Sequence, residues 1–578
     1  MKLRSLITSL LFFISAGVLP VSAQYKQNIS NLTQLLSNTD KLIPLGSLEA
    51  RRIAVAVAQQ GKYAAFIKQL EYYADIDVID INHIYEQGKL YNTLIVAGTS
   101  SDLSAIDISV LQQAHVNHKD VVLCRFLDTD LSSAESNLRD QGPFCELIYP
   151  GFSEQAQRHV AMSLFGGLAI TEGPDSLRTQ QNRLQYTFGE GSGYNISKMS
   201  RQIDAIAEQA IAERATPGLV VMAIKDGQVL FEKAYGKHTY DGDVATRVTD
   251  LFDMASISKI VGTTPVIMHL QENKLIDLDS TMGYYLWDVR STNKKDITLR
   301  SVMLHEAGFT PFIPFYKNLK PGDVQRFVSA SHQVQLADSS YLRNNYYQEV
   351  MWPQMMQSQV KPVGDYVYSD ISMYVMKEVA EHISSRPMGE LVDEFLYKPI
   401  GMKTAGYNPR RRFDKIRIVP TENDTSFRKV LLEGFVHDQG AAMAGGVAGH
   451  AGLFATANDL AIYGQLLLNR GQYGGVRYFQ EKTVDLFTSK QSMSSRRGLG
   501  FDRADADPKK EYPSALAGSS VYGHTGYTGT CIWIDPKEQL IYIFLSNRVH
   551  PQVSGKIYDL NIRSRIQDVI YTTIQERR

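Results

Sequence analysis

Two stretches of this chain follow different hydrophobic patterns, and this contrast limits the folds open to it more than any other feature. From about residue 47 to residue 170, short continuous apolar runs alternate with segments of helical periodicity. The apolar runs cover residues 52–58, 76–81, 93–97, 121–126 and 146–149. Such runs are typical of parallel strands that helices cover on both faces. The pattern therefore predicts a doubly wound α/β sandwich of flavodoxin-like type, within a domain over residues 24–170.

The second stretch, residues 198–578, begins and ends with signals for antiparallel hairpins. Apolar runs at 219–224 and 229–234 are joined by Asp226-Gly227, a strong turn signal, and a second pair lies at 530–535 and 540–546. Helical patterns precede the first hairpin and follow the last. We therefore expect an antiparallel sheet built from both ends of this stretch, with a helical middle. Residues 171–197 are rich in turn residues and read as a linker.

The first 23 residues read as a secretory signal peptide. Lys2 and Arg4 supply the positive end, residues 6–19 are mostly apolar, and residues 21–23 offer small side chains for cleavage. The alternative is an N-terminal membrane anchor, but the apolar run is short and no basic flank follows it. We therefore expect a periplasmic or secreted protein without a stable membrane span.

The composition is that of an ordinary globular protein. Hydrophobic residues make up 44% and charged residues 21%, which excludes wholesale disorder. Lys and Arg total 60 against 61 Asp and Glu, so nothing attracts the chain generally to nucleic acid or anionic membrane. Three cysteines exclude a disulfide scaffold. Cys124 and Cys145 lie in one domain and can pair, although three buried thiols are the expectation.

The stretch from Phe252 to Lys259 carries the most informative motif. Ser256 and Lys259 lie three positions apart, which places them on one face of a helix. A lysine removed from water beside a hydroxyl can lose its proton and act as the base that activates a serine. The pattern therefore describes a workable nucleophile without a catalytic histidine, although Ser-x-x-Lys alone also occurs by chance.

A second motif, Tyr368-Ser369-Asp370, precedes a predicted helix over residues 371–383. The tyrosine phenol can share the base role with Lys259 and later protonate the leaving group. The alternative is a structural tyrosine, with Asp370 as the N-cap of the helix.

A third motif, His524-Thr525-Gly526-Tyr527, comes just before the last hairpin. Gly526 lets a substrate approach the strand, and the amide of Tyr527 can pair with that of Ser256 as an oxyanion hole. The alternative is an ordinary glycine-rich turn. The order and spacing of the three motifs together favour an active site.

Residues 198–575 resemble the serine β-lactamase and penicillin-binding-protein superfamily, in its class C-like branch. Its members carry Ser-x-Ser-Lys, then Tyr-Ser-Asn or Tyr-Ala-Asn, then Lys-Thr-Gly or His-Thr-Gly; here the motifs read Ser-Ile-Ser-Lys, Tyr-Ser-Asp and His-Thr-Gly. The segment VHDQGAAMAGGVAGHAGLFATANDLA, residues 436–461, is most similar to type-4B penicillin-binding proteins. The resemblance implies a β-lactamase-like antiparallel sheet flanked by helices, an all-helical lobe and a site between them.

The resemblance also implies a role for each matching residue. Ser256 is the acylated nucleophile, and Lys259 and Tyr368 are the paired base and acid. The substrate-binding residues are Asp370, His524, Thr525 and Gly526, of which His524 lines the side of the substrate carboxylate. The oxyanion hole consists of the Ser256 and Tyr527 amides.

Two positions depart from the superfamily pattern. Asp370 stands where an amide is usual, so an acceptor replaces a donor to the substrate, and its carboxylate favours the ammonium form of Lys259. His524 replaces the commoner lysine, so we expect only a partial positive charge there near neutral pH. Both changes argue against an efficient β-lactamase and favour a slow D,D-peptidase or an esterase.

The first domain has a resemblance of its own. Residues 151–177, with the closing residues 188–193, resemble the C-terminal α/β domain of glycoside hydrolase family 3. The barrel that carries the catalytic residues of that family needs about 250 residues, and only about 25 precede the first strand. The first domain is therefore expected to be non-catalytic, with a role in positioning or in contact with peptidoglycan.

Metal-site patterns are weak. His305-Glu306 begins a His-Glu-x-x-His motif, but Phe309 occupies the last position. His437, Asp438 and His450 lie close together in the sequence, and they are expected to form hydrogen bonds that structure a loop rather than to serve as a metal site or a catalytic triad. No metal or organic cofactor is implied by this chemistry.

The sequence therefore predicts a secreted serine hydrolase that works through an acyl-enzyme. The expected partners are small peptide or acyl substrates, including peptidoglycan fragments that end in D-Ala-D-Ala. Two alternatives stay open: a carboxylesterase with the same fold, and a pseudoenzyme that binds muropeptides without cleaving them.

Overall fold

The computed structural model of the protein describes residues 31–104, 108–117, 119–127 and 144–577. The predicted signal peptide, residues 1–23, lies outside this range. Among the residues that the structure describes, no helix is both long enough and apolar enough to cross a membrane. All three cysteines are buried free thiols, which confirms the expectation for them.

The N-terminal region contains one six-stranded sheet. Its strands are β1 (Gln34–Ser37), β2 (Ile53–Val57), β3 (Ile76–Asp80), β4 (Thr93–Thr99), β5 (Asp120–Leu127) and β6 (Cys145–Pro150). Its α-helices are α1 (Ala64–Leu70), α2 (Ile84–Gln87), α3 (Ser100–Leu103), α4 (Ile108–Val116) and α5 (Glu154–Leu164).

The strand order is β1-β6-β5-β4-β2-β3, and strands β2 to β6 pair in parallel. Counted from β2, the parallel strands follow the order 2-1-3-4-5. The sequence pattern did not indicate β1, which pairs antiparallel to β6 at the edge. Alternate residues of each central strand enter two separate apolar clusters: Val55 lies in one and Ala56 in the other. Both faces of the sheet are therefore buried, which explains the continuous apolar runs.

The predicted linker has little regular structure, yet it is packed against both regions. Arg183 is buried, and its Nη1 donates to the carbonyls of Leu45 (2.8 Å) and Phe165 (2.7 Å). The backbone of Gln185 donates to Gly227 and accepts from Val229, each at 2.9 Å. Because its backbone forms hydrogen bonds with the flanking regions, this segment is an ordered connection packed between them and not a flexible linker.

The second region is built around a six-stranded antiparallel sheet with several short strand pairs. Its strands are β7 (Gly218–Lys225), β8 (Gln228–Gly236), β9 (Phe252–Asp253), β10 (Val324–Gln325), β11 (Val334–Ala337), β12 (Ser340–Leu342), β13 (Gly406–Tyr407), β14 (Glu422–Asn423), β15 (Leu431–Leu432), β16 (Leu453–Ala455), β17 (Gln472–Tyr473), β18 (Val476–Arg477), β19 (Asp502–Arg503), β20 (Tyr522–Thr525), β21 (Cys531–Asp535) and β22 (Leu540–Ser546).

The main sheet has the order β19-β20-β21-β22-β7-β8. Strands β22 and β7 pair along seven residues, from Leu540 opposite Lys225 to Ser546 opposite Leu219. The two predicted hairpins therefore meet, and the expectation that both ends of this stretch form one sheet is confirmed.

Helices cover this sheet and form a lobe beside it. They are α6 (Ile196–Ala212), α7 (Thr264–Glu272), α8 (Met282–Tyr285), α9 (Leu299–Met303), α10 (Trp352–Gln357), α11 (Ile371–Ser384), α12 (Met388–Val392), α13 (Lys398–Ile400), α14 (Gln439–Met443), α15 (Ala457–Leu468), α16 (Glu481–Thr488), α17 (Lys556–Asp559) and α18 (Ile562–Gln575). Helices α6 and α18 pack on one face of the sheet, and α15 packs on the other.

The two regions share a polar and aromatic contact near the linker. The rings of Tyr72 and Tyr186 stack with centroids 4.4 Å apart, and both residues hydrogen-bond Asn458 of α15. The Tyr72 hydroxyl also donates to Glu232 of β8 at 3.1 Å. Burial raises the pKa of Glu232 to about 7, although the bond from Tyr72 lowers it. This interface therefore holds a carboxyl group that titrates near neutral pH.

We expect Glu232→Gln to make the protein less sensitive to alkaline pH. A carboxyl group whose pKa is raised by folding stabilises the fold below its ordinary pKa of about 4.5, and that contribution is lost as pH rises through about 7. Glutamine stays neutral at every pH. The melting temperature of the variant should therefore rise relative to that of the wild type as the pH increases from about 5 to about 8. Calorimetric melting across this range measures the difference; parallel curves would show that Glu232 does not titrate there.

Candidate active site

Ser256 stands at the start of the helix that continues into α7. The turn Lys259–Thr263 is wound as a π-helix. Pro265 has no N–H to offer the carbonyl of Val261, and the Tyr397 hydroxyl donates to that carbonyl at 2.9 Å instead. Side chains from the helical lobe therefore complete the helix that carries the nucleophile candidate.

The backbone just before Ser256 is held in an unusual conformation. Ala255 has a φ of 45°, in the left-handed region that a residue with a side chain rarely adopts. The buried Asp253 carboxylate accepts from the Ala255 amide at 2.8 Å and from the His437 amide at 2.7 Å. Burial raises the pKa of Asp253 to about 6, although these two hydrogen bonds act to lower it. Asp253 thus holds the strained turn that presents Ser256, a role that no motif in the sequence indicated.

The three residues expected to carry the chemistry lie within hydrogen-bonding distance of one another. Lys259 Nζ is 2.9 Å from Ser256 Oγ, and the Tyr368 hydroxyl is 3.0 Å from the same oxygen. Lys259 Nζ also lies 4.9 Å from the centre of the Tyr368 ring. A serine flanked by an amine and a phenol has two groups that can accept and return its proton.

Lys259 is fully buried and donates to three acceptors. These are Ser256 Oγ, Asp370 Oδ1 at 2.9 Å and the carbonyl of His450 at 3.2 Å. Three acceptors match the three N–H groups of an ammonium. Burial alone would lower the pKa of Lys259, but the charges and hydrogen bonds of Asp370 and Tyr368 outweigh it, and the pKa is raised. This agrees with the effect expected of the carboxylate.

Asp370 precedes α11, but its side chain makes no capping hydrogen bond to the helix. Its carboxylate instead forms the ion pair with Lys259, and about a quarter of the side chain is exposed. Asp370 therefore occupies the N-cap position without capping the helix through its side chain, whose one hydrogen-bonding partner among the described residues is Lys259.

A segment that begins at His305 holds the Tyr-Ser-Asp motif in place. The Ser369 amide donates to His305 Nδ1 at 3.3 Å, and the Asp370 amide donates to Pro311 at 2.9 Å. The His305 ring also packs on Tyr368, with centroids 4.6 Å apart. Burial and nearby cations hold the pKa of His305 well below its usual range, so the ring is neutral. His305 is therefore a positioning residue, a role that the sequence analysis did not assign to it.

His450 and Asp438 form a buried pair behind Lys259. His450 Nε2 lies 2.9 Å from Asp438 Oδ1, and Nδ1 lies 2.9 Å from the carbonyl of Ala448. A carbonyl and a carboxylate only accept, so both ring nitrogens carry protons and the imidazole is a cation. Burial alone would lower the pKa of His450, but Asp438 and Asp370 outweigh it and raise the pKa.

A ring nitrogen that carries a proton has no lone pair for a metal ion. One ligand atom each from Asp370, Asp438 and His450 lies within 4.8 Å of the others. His450 Nε2 is nevertheless occupied as a donor to Asp438, so this cluster suits charge pairing better than metal binding. The hydrogen bond between Asp438 and His450 matches the role that the sequence suggested for them.

The predicted partial charge on His524 is wrong. Arg497 Nη1 lies 3.2 Å from His524 Nε2, and His524 Nδ1 lies 2.7 Å from the carbonyl of Thr525. A guanidinium only donates, so Nε2 accepts and Nδ1 carries the single ring proton. Burial, then the charges of Arg497 and Lys259, lowers the pKa of His524 to about 3. The ring is neutral at neutral pH, and the buried Arg497 supplies the permanent positive charge behind it.

No motif in the sequence identifies Arg497 as a site residue. It lies 27 positions before His524 and meets it only through the fold. The adjacent pair Arg496-Arg497, next to glycine, was the only signal. Arg496 forms a bidentate ion pair with Asp502, which also lies 3.6 Å from Arg497.

The turn after β20 packs directly on the residues that precede Ser256. The Thr528 hydroxyl donates to the carbonyl of Asp253 at 2.7 Å. A Cβ on Gly526 would lie 2.6 Å from the carbonyl oxygen of Met254. Glycine is therefore required here by the protein's own packing, a different reason from the substrate approach expected.

The amides proposed for an oxyanion hole are free to donate. Among the described residues, neither the Ser256 amide nor the Tyr527 amide has a protein acceptor. Tyr527 is half exposed, and its ring stacks on His437 with centroids 5.2 Å apart. Two unpaired amides on adjoining segments beside the serine are the arrangement that would stabilise a developing oxyanion.

The second region of the chain is similar in sequence to known proteins. Residues 203–565 match the sequence profile of the family described as Beta-lactamase. The chain belongs to the Beta-lactamase family. A protein of Escherichia coli O157:H7 named "Putative D-alanyl-D-alanine carboxypeptidase" is 29% identical over 390 residues, which cover 63% of this chain and 86% of that protein. A protein of the same name from Salmonella agona is 28% identical over 395 residues, covering 64% and 87%.

A solved structure, a penicillin-binding protein homolog from Caulobacter crescentus, aligns with 65% of this chain and 97% of its own chain. The TM-score is 0.48 and the identity is 16%. Assignment to the Beta-lactamase family therefore rests on the sequence match over residues 203–565, which supports a hydrolase.

Asp370→Asn should make Ser256 reactive at lower pH. Loss of the carboxylate removes the main charge that favours the ammonium form of Lys259, so the pKa of Lys259 should fall. The rate of labelling by a fluorophosphonate, followed from about pH 6 to pH 10, should rise about one pH unit earlier than in the wild type. Asp365→Asn, which removes an exposed carboxylate five positions earlier in the chain, is the matched control. An unshifted profile in Asp370→Asn would contradict the role given to this ion pair.

Arg497→Met should raise the pKa of His524 from about 3 toward its ordinary value, without restoring it fully because the ring stays buried. Titration of the histidine ring signals by NMR measures this shift, and His524→Asn identifies the resonance. Arg497→Lys keeps the charge and should leave the pKa low. A pKa that stays near 3 in Arg497→Met would show that burial alone neutralises the ring.

Proposed function

We propose that this protein is a secreted serine hydrolase that acts through an acyl-enzyme on Ser256. The expected substrates are D-Ala-D-Ala-type peptidoglycan peptides and related amides or esters. The observation that carries the proposal is the contact of Ser256 Oγ with both Lys259 and Tyr368. Secretion is supported by the apolar leader expected over residues 1–23, and the substrate class by the names of the relatives.

The reaction needs two half-reactions that share one proton-handling pair. Ser256 Oγ forms a bond to the substrate carbonyl carbon while its proton passes to the Tyr368–Lys259 pair. The bond to the leaving amine or alkoxide then breaks, and the pair returns the proton to that group. Water next attacks the acyl ester, gives a proton to the same pair and releases the acid, and Oγ takes that proton back.

The resting protonation of Lys259 supports a further part of the proposal, which is that turnover is slow. Because all three N–H groups of Lys259 meet acceptors, the lysine enters the reaction as an ammonium. A proton must leave this pair before Ser256 is fully activated, which favours slow turnover over the speed of an efficient β-lactamase. A carboxylesterase would use the same residues with a different pocket.

We also propose that the N-terminal α/β region is non-catalytic and positions the hydrolase region. Its support is the packed joint around Arg183 and the apolar core that both regions share. The resemblance of the region to a family 3 glycoside hydrolase domain favours a contact with peptidoglycan.

Ser256→Ala should abolish covalent labelling and lower hydrolysis by about 1,000-fold or more. The purified protein is incubated with a fluorescent penicillin and read by gel and intact mass, and hydrolysis is compared for a D-Ala-D-Ala peptide and p-nitrophenyl butyrate. The matched control is Ser258→Ala, which removes the other serine of the motif; its hydroxyl accepts from the Leu453 amide and is not among the three hydrogen-bonding partners of Lys259 Nζ.

A wild-type adduct that persists in Ser258→Ala and disappears in Ser256→Ala supports the proposal. Ester hydrolysis without peptide cleavage would identify a carboxylesterase. A folded wild type with neither adduct nor hydrolysis would overturn the proposal in favour of a pseudoenzyme.

A further inference from the structure

Two carboxylates from different parts of the chain lie beside the nucleophile candidate. Asp370 precedes α11 and Asp438 precedes α14, and an oxygen of each lies within 4.8 Å of the other. Asp370 Oδ1 and Ser256 Oγ are both 2.9 Å from Lys259 Nζ, so they are separated by no more than two hydrogen-bond lengths. A group bound by these carboxylates would therefore border the reacting carbonyl.

Each carboxylate uses only one of its two oxygens. Asp370 Oδ1 pairs with Lys259, and Asp438 Oδ1 accepts from His450 and from the Ala441 amide. No described residue donates to Oδ2 of either aspartate. The side chains are 26% and 34% exposed, so this pair of carboxylates, Asp370 and Asp438, keeps unused acceptors on partly exposed side chains.

A buried hydroxyl without a partner lies at the same place. Tyr374 is 3% exposed, and its hydroxyl has no hydrogen bond within the described part of the chain. A Cβ built on Gly440 would meet both this hydroxyl (2.6 Å) and Asp438 Oδ1 (3.3 Å), so the two groups are neighbours. Leaving a buried hydroxyl unpaired is unfavourable, and a bound donor or acceptor would remove that cost.

The chemistry of these groups points to a ligand that only donates. Carboxylate oxygens only accept, and an ammonium offers three donors and no acceptor. A metal ion would need a lone pair on His450 Nε2, which is engaged as a donor to Asp438. An acyl amide in the same place would bring its carbonyl oxygen against two carboxylates, and this repulsion selects against it.

We propose that Asp370 and Asp438 bind the free ammonium group of the acyl donor. The hydrolase then prefers unblocked D-amino-acyl amides, esters or dipeptides, including free D-Ala-D-Ala, over stem peptides in which that nitrogen is acylated. The α-amino nitrogen lies two bonds from the reacting carbonyl carbon, which suits the short separation between Ser256 and Asp370. This inference rests on the proposed function for the reaction, but its binding site can be tested without turnover.

Binding is measured by calorimetry in the Ser256→Ala protein at pH 7, with D-alaninamide as the cationic probe and N-acetyl-D-alaninamide as its neutral counterpart. We expect the cationic amide to bind about 10-fold more tightly or better. Adding Asp438→Asn or Asp370→Asn should reduce this ratio to about 2-fold or less, since each removes one charge. Adding Asp365→Asn, on an exposed residue, should leave the ratio unchanged.

Asp438→Asn also disturbs His450, so Tyr374→Phe provides a second variant that keeps the buried ring and should fold. Removing its hydroxyl should weaken the binding of D-alaninamide about 2-fold or more and leave the binding of N-acetyl-D-alaninamide unchanged. Equal affinities for the two amides in Ser256→Ala would overturn the ammonium site. Zn²⁺ or Mn²⁺ that binds alone, displaces D-alaninamide and is lost in Asp438→Asn would overturn it in favour of a metal site.

Turnover separates this inference from the proposed function. With an active wild type, kcat/KM for D-alanine p-nitroanilide should exceed that for its N-acetyl form, and Asp370→Asn should reverse the preference. Hydrolysis that depends on Ser256 but is faster with the N-acetyl form would contradict the ammonium site. It would still support the proposed hydrolase activity. A 10-fold binding preference in a protein that never acylates Ser256 supports the ammonium site and removes the hydrolase.

Discussion

The Lys259 ammonium is the interaction on which the rest of the site depends. A buried charge is tolerated only when partners replace its lost hydration, and here three acceptors from three separate segments do so. Ser256 belongs to the same helix, Asp370 to the start of α11 and the His450 carbonyl to the loop before β16. The ammonium therefore orders segments almost 200 residues apart, and the same bonds that position it keep it protonated.

A set of polar residues around the ammonium supports this arrangement. Asp253 fixes the strained turn before Ser256, His305 holds the Tyr-Ser-Asp segment, and Asp438 balances the charge of His450. Each satisfies backbone or charged groups that burial would otherwise leave unpaired. Charges alternate from Asp438 through His450 and Asp370 to Lys259, so a proton that moves at one end changes the balance at the other.

The N-terminal region is attached to the hydrolase region more firmly than a turn-rich linker suggests. Arg183 of the linker is buried and bonds Leu45 and Phe165, its neighbour Leu184 donates to the Tyr473 hydroxyl, and Tyr186 bonds Asn458 of α15. Because apolar residues of both regions enter one cluster, the two regions should unfold together rather than as independent domains. This packing would hold the α/β region in a fixed orientation toward the active site.

Local sequence patterns were enough to predict those features of the protein that depend on residues close together in the chain. The apolar alternation indicated the parallel strands, Asp226-Gly227 marked the first hairpin, and the three short motifs selected the residues that meet at Ser256. The sequence also indicated the ammonium form of Lys259, but the neutral state of His524 and the supporting contacts were decided only by the tertiary structure. The pKa of His524 depends on burial and on Arg497, and no spacing in the chain reports either. Charge and solvation depend on what the fold brings close, and that information is absent from any local stretch of sequence.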